Sequence, residues 1–147
     1  LNLLPYLGQH PHLVHLLASQ AAEAELGNTG TTARILLTHG SSHPASNRLI
    51  EALASQLAAI TAYWSKAPNL EQQVHTLVQQ GYDSITILPY FLFAGKTTDS
   101  IAQQVIQLAA KYPTQQLRLA ALVSSHLQFT DVIANWLNLV QSQLQTA

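Results

Sequence analysis

The stretch that decides the fold is Arg34-Ile-Leu-Leu-Thr38, which runs into the turn His39-Gly-Ser-Ser-His-Pro44 and then into a helix-like segment over 45–59. A strand, a tight turn and a helix form the repeating unit of parallel α/β folds, which bind ligands at the edge where their strands end. An imidazole at that turn can bind a metal ion or accept a proton. The backbone amides of residues 40–42 can receive an anion at the start of the helix. The turn therefore predicts a functional site.

Strand-like and helix-like segments alternate along the whole chain. Asn69 has a side-chain acceptor at a helix start, and Gln72 follows three residues later, which is the pattern of a capping box. Regular alternation of this kind is typical of a mostly parallel sheet covered by helices. We therefore predict an α/β three-layer sandwich, with helices over 11–26, 45–59, 69–81, 98–111 and 128–144 and strands over 1–4, 34–38, 61–64, 84–88 and 117–123.

The composition limits the class of protein. The chain has 147 residues, a net charge of -1, no Cys, and only 9% charged residues, well below the roughly 25% of typical domains. The charge argues against nucleic acid as a partner, and the missing Cys excludes thiolate metal sites. No apolar run reaches the roughly 18 residues of a membrane span. We expect a soluble, cytoplasmic protein with no membrane partner.

The two ends of the chain resemble each other. Residues 1–10 align without gaps on residues 117–126, and the match continues into the helices, with Leu13 over Phe129 and Leu17 over Ile133. A strand-turn-helix unit therefore occurs twice, either by repetition or by coincidence of simple amphipathic elements. We expect residues 1–30 to be the strand-helix tail of a preceding repeat and residues 31–147 to form one α/β half domain. Because the chain begins at Leu1 and contains no Met, we also expect it to be a piece of something longer.

A second informative stretch is Leu88-Pro-Tyr-Phe-Leu-Phe-Ala-Gly95. A Pro at the end of a strand, followed by aromatic residues and Gly, cannot continue a regular ladder. It predicts an apolar wall beside the turn, for a flat hydrophobic ligand or a partner. Core packing of Phe91 or Phe93 is the alternative. For His39, the alternative is a ring nitrogen bonded to a neighbouring carbonyl.

The other candidate motifs are weaker. His10, His12 and His15 crowd one helix start without an obvious further metal ligand, and His75 falls in the middle of a helix. A nucleophile elbow, a P-loop and a dinucleotide-binding glycine fingerprint are all absent from the sequence.

Two stretches, Leu36-Leu-Thr-His-Gly-Ser-Ser-His-Pro-Ala-Ser-Asn47 and Ile87-Leu-Pro-Tyr-Phe-Leu-Phe-Ala-Gly95, together resemble the sirohydrochlorin chelatase family. Pro68 and the Gly81-Tyr-Asp turn between them fit the same pattern. These class II chelatases insert cobalt or iron into a tetrapyrrole during cobalamin or sirohaem synthesis. The resemblance implies two similar α/β halves that face each other across a cleft, in one chain or as a homodimer. The chain resembles the carboxyl-terminal half of a long-form protein, a chelatase-like half domain.

The resemblance also assigns roles to residues. His39 occupies the position of the catalytic histidine, which holds the incoming metal and accepts a pyrrole proton. Thr97 and Ser65 stand where the family has a second histidine and a metal-binding Glu. The substrate-binding residues implied are Gly40, Ser41, Ser42, Arg48, Tyr90, Phe91, Phe93, Gly95 and Lys96. It implies a tetrapyrrole partner, Co²⁺ or Fe²⁺ as a substrate, and no permanently bound cofactor.

Loss of two expected ligands leaves the activity of this chain open. Imidazole and carboxylate bind divalent ions well, whereas a hydroxyl competes badly with water. We therefore expect part of a cobalt- or ferrochelatase, with this half shaping the cleft. The alternatives are a non-catalytic module that binds a tetrapyrrole or a protein, and a flavodoxin-like anion binder. A second, histidine-bearing half elsewhere in the protein would favour the enzyme.

Overall fold

The helices and strands follow the predicted alternation. A computed structural model describes residues 11–27, 30–91 and 95–121. Its helices are α1 (Pro11–Ala24), α2 (Pro44–Gln56), α3 (Leu70–Gln79) and α4 (Lys96–Lys111), and its strands are β1 (Thr32–Thr38), β2 (Ala59–Tyr63), β3 (Ser84–Pro89) and β4 (Gln116–Leu119). The predicted strand 1–4 and helix 128–144 lie outside the described residues.

The four strands form one sheet in the order β2-β1-β3-β4, and every neighbouring pair is parallel. The central strands β1 and β3 pair in register, with Leu36 opposite Leu88 and Leu37 opposite Pro89. Strands covered on both faces are expected to be continuously apolar, and all six residues of β3 are buried. The predicted parallel α/β fold is confirmed.

Helices cover both faces of the sheet. Because successive side chains of a strand point to opposite faces, Leu36 and Leu88 pack with α1 and α2, whereas Ile35 and Ile87 pack with α3 and α4. This separation gives two apolar clusters, one on each side of the sheet. The three-layer sandwich predicted from the sequence is confirmed. Among the described helices, none combines the length and apolar character needed to cross a membrane.

Local signals set the ends of α3 as predicted. The Asn69 side chain accepts a hydrogen bond from the Gln72 amide at 2.9 Å, and the Gln72 side chain accepts one from the Asn69 amide at 2.9 Å. This reciprocal pair is the capping box, which satisfies amides that the first helical turn leaves unpaired. At the other end Gly81 has φ +91°, where glycine carries no steric cost.

Helix α1 belongs to the same layer as α2. Leu16, Leu17 and Ala21 are buried in the α1–α2 cluster. Beyond the helix, Glu25 receives hydrogen bonds from Nε and Nη2 of Arg34, both at 2.9 Å, and this pairing lowers the pKa of the Glu25 carboxyl. The ion pair ties α1 to the start of β1. The boundary near residue 30 remains a prediction.

The chain reverses its winding between β1 and β3. Helix α2 follows β1 onto one face of the sheet, whereas α4 follows β3 onto the other face. In open α/β sheets such a switch point leaves a crevice beyond the carboxyl ends of the two strands, where ligands bind. This rule places a candidate ligand site between the turn starting at His39 and the end of β3 at Tyr90.

Candidate functional site

The loops that follow β1, β2 and β3 leave the same edge of the sheet and are held to one another by backbone hydrogen bonds. The Tyr90 amide donates to the Leu37 carbonyl at 2.7 Å, and the Trp64 amide donates to the Thr38 carbonyl at 2.8 Å. These bonds extend the sheet by one residue beyond β2 and β3. The segments that begin at His39, Ser65 and Phe91 therefore lie side by side at one edge.

His39 is exposed at this edge, one residue beyond β1. Its backbone carbonyl accepts two hydrogen bonds from Ser65, one from the amide at 2.9 Å and one from the hydroxyl at 2.7 Å. In the described part of the chain, no group forms a hydrogen bond with the His39 imidazole. The backbone of His39 is therefore fixed while its ring stays accessible, which favours a functional histidine over one engaged with a neighbouring carbonyl.

Asn47 holds the turn in shape from the first helical turns of α2. Its side-chain amide donates to the Ser41 carbonyl at 2.8 Å, and its side-chain oxygen accepts from the Ser41 amide at 3.1 Å. The Ser41 hydroxyl in turn accepts from the His43 amide at 3.0 Å. Of the three amides predicted to receive an anion, that of Ser41 is already engaged within the protein. This contact reduces the predicted anion site to the amides of Gly40 and Ser42.

Gly40 is required by both conformation and space, and Gly81 provides a matched control. Gly40 has φ +97°, and a Cβ there would lie 3.0 Å from Oγ of Ser65 and 3.1 Å from Cγ of Lys66. Gly81 has φ +91° but nothing within 4 Å of its Cβ position. We expect Gly81→Ala to lose about 1 to 2 kcal/mol of unfolding free energy from backbone strain, and Gly40→Ala about 1 to 3 kcal/mol more from overpacking. Urea denaturation measures both, and equal losses would contradict the close packing around Gly40.

The position of Tyr90 differs from the prediction that its ring forms part of an apolar wall beside the turn. Its side chain is 0% exposed and packs in the α1–α2 cluster, and this burial raises the pKa of its hydroxyl. Phe91, by contrast, is half-buried and packs against the α3–α4 cluster. Phe93 lies outside the described residues. The ring of Tyr90 therefore packs in the core under this edge of the sheet. Phe91 is the described aromatic residue of this segment whose side chain is partly exposed to solvent.

The remaining predicted residues that the structure describes lie at the start of α4 and on α2. Gly95 and Lys96 are exposed where α4 begins, and the Thr98 hydroxyl fixes this junction by accepting from the Gly95 amide at 2.7 Å. Arg48 is exposed on α2, and Thr97 is half-buried on α4. Across residues 11–27, 30–91 and 95–121, no three His, Cys, Asp or Glu side chains are grouped so that they could hold a metal ion.

Among the other histidines, His43 belongs to the turn itself, whereas His15 lies on α1 and His75 on α3. His15, His43 and His75 are exposed, and Nδ1 of His75 lies 3.0 Å from the Tyr112 hydroxyl. His75, in the middle of α3, therefore lies on the surface of the helix. His10 and His126 lie outside the described residues.

Lys66 is a residue of the edge that the sequence did not single out. If residue 40 had a Cβ, that atom would lie 3.1 Å from Cγ and 3.3 Å from Cδ of Lys66. The Nζ of Lys66 lies 5.4 Å from the centre of the Tyr63 ring. The signal was its place immediately after Ser65, just beyond a strand that ends at this edge. Its contact with Gly40 depends on the fold, because the two residues are far apart in sequence.

Comparison with known proteins identifies the family of the chain. The family model CbiX matches residues 33–138 of the chain. The sirohydrochlorin ferrochelatase of Priestia megaterium is 28% identical over 127 residues, which are 81% of this chain and 47% of that protein. The chain thus spans about half the length of that ferrochelatase.

Two solved structures show the same fold at different total lengths. The putative cobalamin biosynthesis CbiX protein of Marinobacter aquaeolei VT8 is 26% identical with a TM-score of 0.64, and the match covers 79% of this chain and 99% of that one. SirB from Bacillus subtilis with Fe³⁺ is 22% identical with a TM-score of 0.66, covering 84% of this chain and 51% of that one. Since the family model spans well over half of its length, the chain belongs to the CbiX family of sirohydrochlorin chelatases.

Proposed function

We propose that this chain forms one half of a sirohydrochlorin chelatase, which inserts Co²⁺ or Fe²⁺ into the tetrapyrrole. The observation that carries the proposal is the exposed imidazole of His39 at the switch point between β1 and β3, next to the strand end at which Phe91 is half-buried. A crevice with a metal-binding group and an apolar side suits a flat macrocycle that must meet a metal ion.

His39 would serve two chemical steps. A neutral imidazole has one nitrogen lone pair, which can bind a divalent ion or accept a proton. Insertion requires the incoming ion to lose water ligands and the pyrrole nitrogens to lose protons. Because the His39 backbone is held by Ser65 while its ring is accessible, the imidazole can meet either the ion or the pyrrole N–H without reorganising the turn.

The rest of the edge would position the macrocycle. Phe91 and Phe93 would pack against its face, and the amides of Gly40 and Ser42 would meet peripheral carboxylates together with Arg48 and Lys96. Gly95, next to Lys96, would allow close approach at the start of α4. Tyr90 would not contact the macrocycle, because its ring is buried. It would instead hold the backbone of this segment in place through its packing with α1 and α2.

A second half would complete the site. The chain covers 47% of the Priestia megaterium ferrochelatase but 99% of the Marinobacter aquaeolei CbiX chain, so a fold of this size occurs both as part of a longer chain and as nearly a whole one. We propose that the partner half is supplied in cis or by a second copy. Because Ser65 and Thr97 replace ligands that the family resemblance implies, this half would shape the cleft rather than hold the metal by itself.

A metal-insertion assay tests this proposal. With sirohydrochlorin and Co²⁺, we expect the isolated chain to show little turnover above the uncatalysed rate, because a single imidazole binds the ion weakly. In the assembled two-half protein we expect His39→Ala to slow insertion about 100-fold or more. The matched change at exposed His75 should leave the rate unchanged. Robust insertion by the isolated chain, lost on His39→Ala, would overturn the half-site role.

A non-catalytic tetrapyrrole-binding module is the second candidate. It is favoured by the hydroxyl residues Ser65 and Thr97 and by the lack of a metal-holding group among the described residues. Sirohydrochlorin binding without insertion, in the isolated chain and in the two-half protein alike, would select it over the enzyme.

A further inference from the structure

A charged depression lies on the β2 side of the turn that starts at His39. It has a volume of about 330 Å³ and is lined by residues from the turn, α2 and the end of β2, among them Ser42, Asn47, Arg48, Glu51, Tyr63 and Lys66. Asn47 is the residue that fixes the Ser41 backbone. The depression is therefore continuous with the turn that presents His39.

Lys66 connects the depression to the turn that starts at His39. The stem of its side chain packs against Gly40, and its ammonium lies over the Tyr63 ring at 5.4 Å. A lysine stem commonly packs along apolar surface while its charge stays in water. The stem thus lies against Gly40, the residue that follows His39, while the ammonium lies over Tyr63.

Neither cation of this depression forms an ion pair with a carboxylate of the described residues. The ion pairs between described residues join Arg34 to Glu25 and Lys111 to Glu71, and neither involves Arg48 or Lys66. Glu51 lines the same depression, where it lies 3.5 Å from the Tyr63 hydroxyl. The Tyr63 hydroxyl adds no negative charge, because burial raises its pKa. Two positive groups thus face one negative group, and the balance favours an anion.

We propose that Lys66 and Arg48, with the Ser42 hydroxyl, form a subsite for a peripheral carboxylate of the tetrapyrrole, beside His39. This inference rests on the proposed function for the identity of the ligand. A planar guanidinium and an ammonium are suited to carboxylate, the guanidinium by paired hydrogen bonds and the ammonium as a point charge. The subsite would fix the rotation of the macrocycle in the cleft and so decide which pyrrole nitrogens face the imidazole.

The test is a titration with metal-free sirohydrochlorin, followed by its fluorescence, at low and high NaCl. We expect Lys66→Gln and Arg48→Gln each to raise Kd about 3- to 10-fold, as for partly exposed charge pairs, and to reduce the dependence of Kd on salt. Lys66→Arg should keep Kd near that of the unmodified chain. The charge-matched control is Lys111→Gln, since Lys111 faces Glu71 and lies outside the depression.

Removing a negative charge from the depression should have the opposite effect on Kd and provides a second test. Glu51→Gln removes the carboxylate that competes within the depression, so it should lower Kd, whereas Glu71→Gln removes an equal charge outside it and should not. Unchanged Kd for Lys66→Gln and Arg48→Gln, or equal effects of Lys66→Gln and Lys111→Gln, would overturn the subsite.

A small carboxylate separates failure of the subsite from failure of the proposed function. Glutarate is titrated into the chain and followed by the NMR shifts of the Lys66 and Arg48 amides, with the Lys111 amide as reference. Shifts at Lys66 and Arg48, with no sirohydrochlorin binding by the isolated chain or by the two-half protein, would support the subsite and overturn the proposed function. Sirohydrochlorin binding with a Kd unchanged by Lys66→Gln and Arg48→Gln would support the proposed function and overturn the subsite. Absence of binding of both glutarate and sirohydrochlorin would overturn both.

Discussion

Replacing Tyr90 by Ala is expected to lower the free energy of unfolding by about 3 to 5 kcal/mol, the range for deleting a large buried side chain. The ring is completely buried between the sheet and the layer of α1 and α2, in contact with a cluster that includes Leu16, Leu36 and Ile50. Because protein interiors are close-packed, the surrounding side chains can fill the resulting cavity only in part. Urea denaturation followed by circular dichroism measures the loss.

Phe91→Ala is the matched comparison, since it removes the neighbouring aromatic ring in the same segment. Phe91 is only half-buried, so its loss should cost about 1 to 2 kcal/mol of stability and should instead weaken binding of sirohydrochlorin. If Tyr90→Ala left stability unchanged and impaired ligand binding, the ring would belong to the cleft, as the sequence alone predicted.

The contrast between Tyr90 and Phe91 marks a limit of the sequence. Alternation along a strand predicts that neighbouring side chains point to opposite faces. It does not reveal which face is covered at the end of a strand, because that depends on helices distant in the chain. Here α1 is the additional cover over Tyr90, and its packing against β3 could not be inferred from the Pro-aromatic pattern.

The ends of helices and strands were likewise predictable where the signal is local in sequence, and not where it depends on contacts distant in the chain. The start of α3 was predictable because the signal, Asn69 and Gln72, lies within four residues. Strand β2 begins at Ala59 rather than at the predicted residue 61, because Ala59 and Ile60 pair with Arg34 and Ile35 of β1. Pairing of that kind is tertiary, and the local sequence contains no signal for it.

In the candidate site, the position of the loops was predictable from the sequence, but the contacts between their side chains were not. That the turn at His39 and the segment after β3 share an edge followed from one rule, since parallel strands end on the same side of a sheet. The side-chain contacts within the site did not follow. Asn47 binds the Ser41 backbone, and Lys66 packs on Gly40. These contacts require the relative positions of the turn, α2 and the end of β2, which only the folded chain provides.

Replacing Ser65 by Glu is expected to tighten Co²⁺ binding by about tenfold or more, because it adds a carboxylate beside an imidazole. Ser65 is the appropriate position because its amide and its hydroxyl both donate to the His39 carbonyl, at 2.9 and 2.7 Å. The backbone at residue 65 is thus fixed beside that of His39. The amide bond to His39 is retained in the variant, so only the hydroxyl bond is lost, at a stability cost of about 1 kcal/mol.

Isothermal titration with Co²⁺ measures the gain, and two controls define its origin. Ser55→Glu adds the same charge at an exposed position near the end of α2 and should leave Co²⁺ affinity unchanged, so a gain there would indicate general electrostatic attraction. His39→Ala in the Ser65→Glu background should remove the gain, because a lone carboxylate binds the ion weakly in water. A gain that survives the loss of His39 would mean that the two side chains do not act on one ion, and it would contradict a metal-facing role for His39.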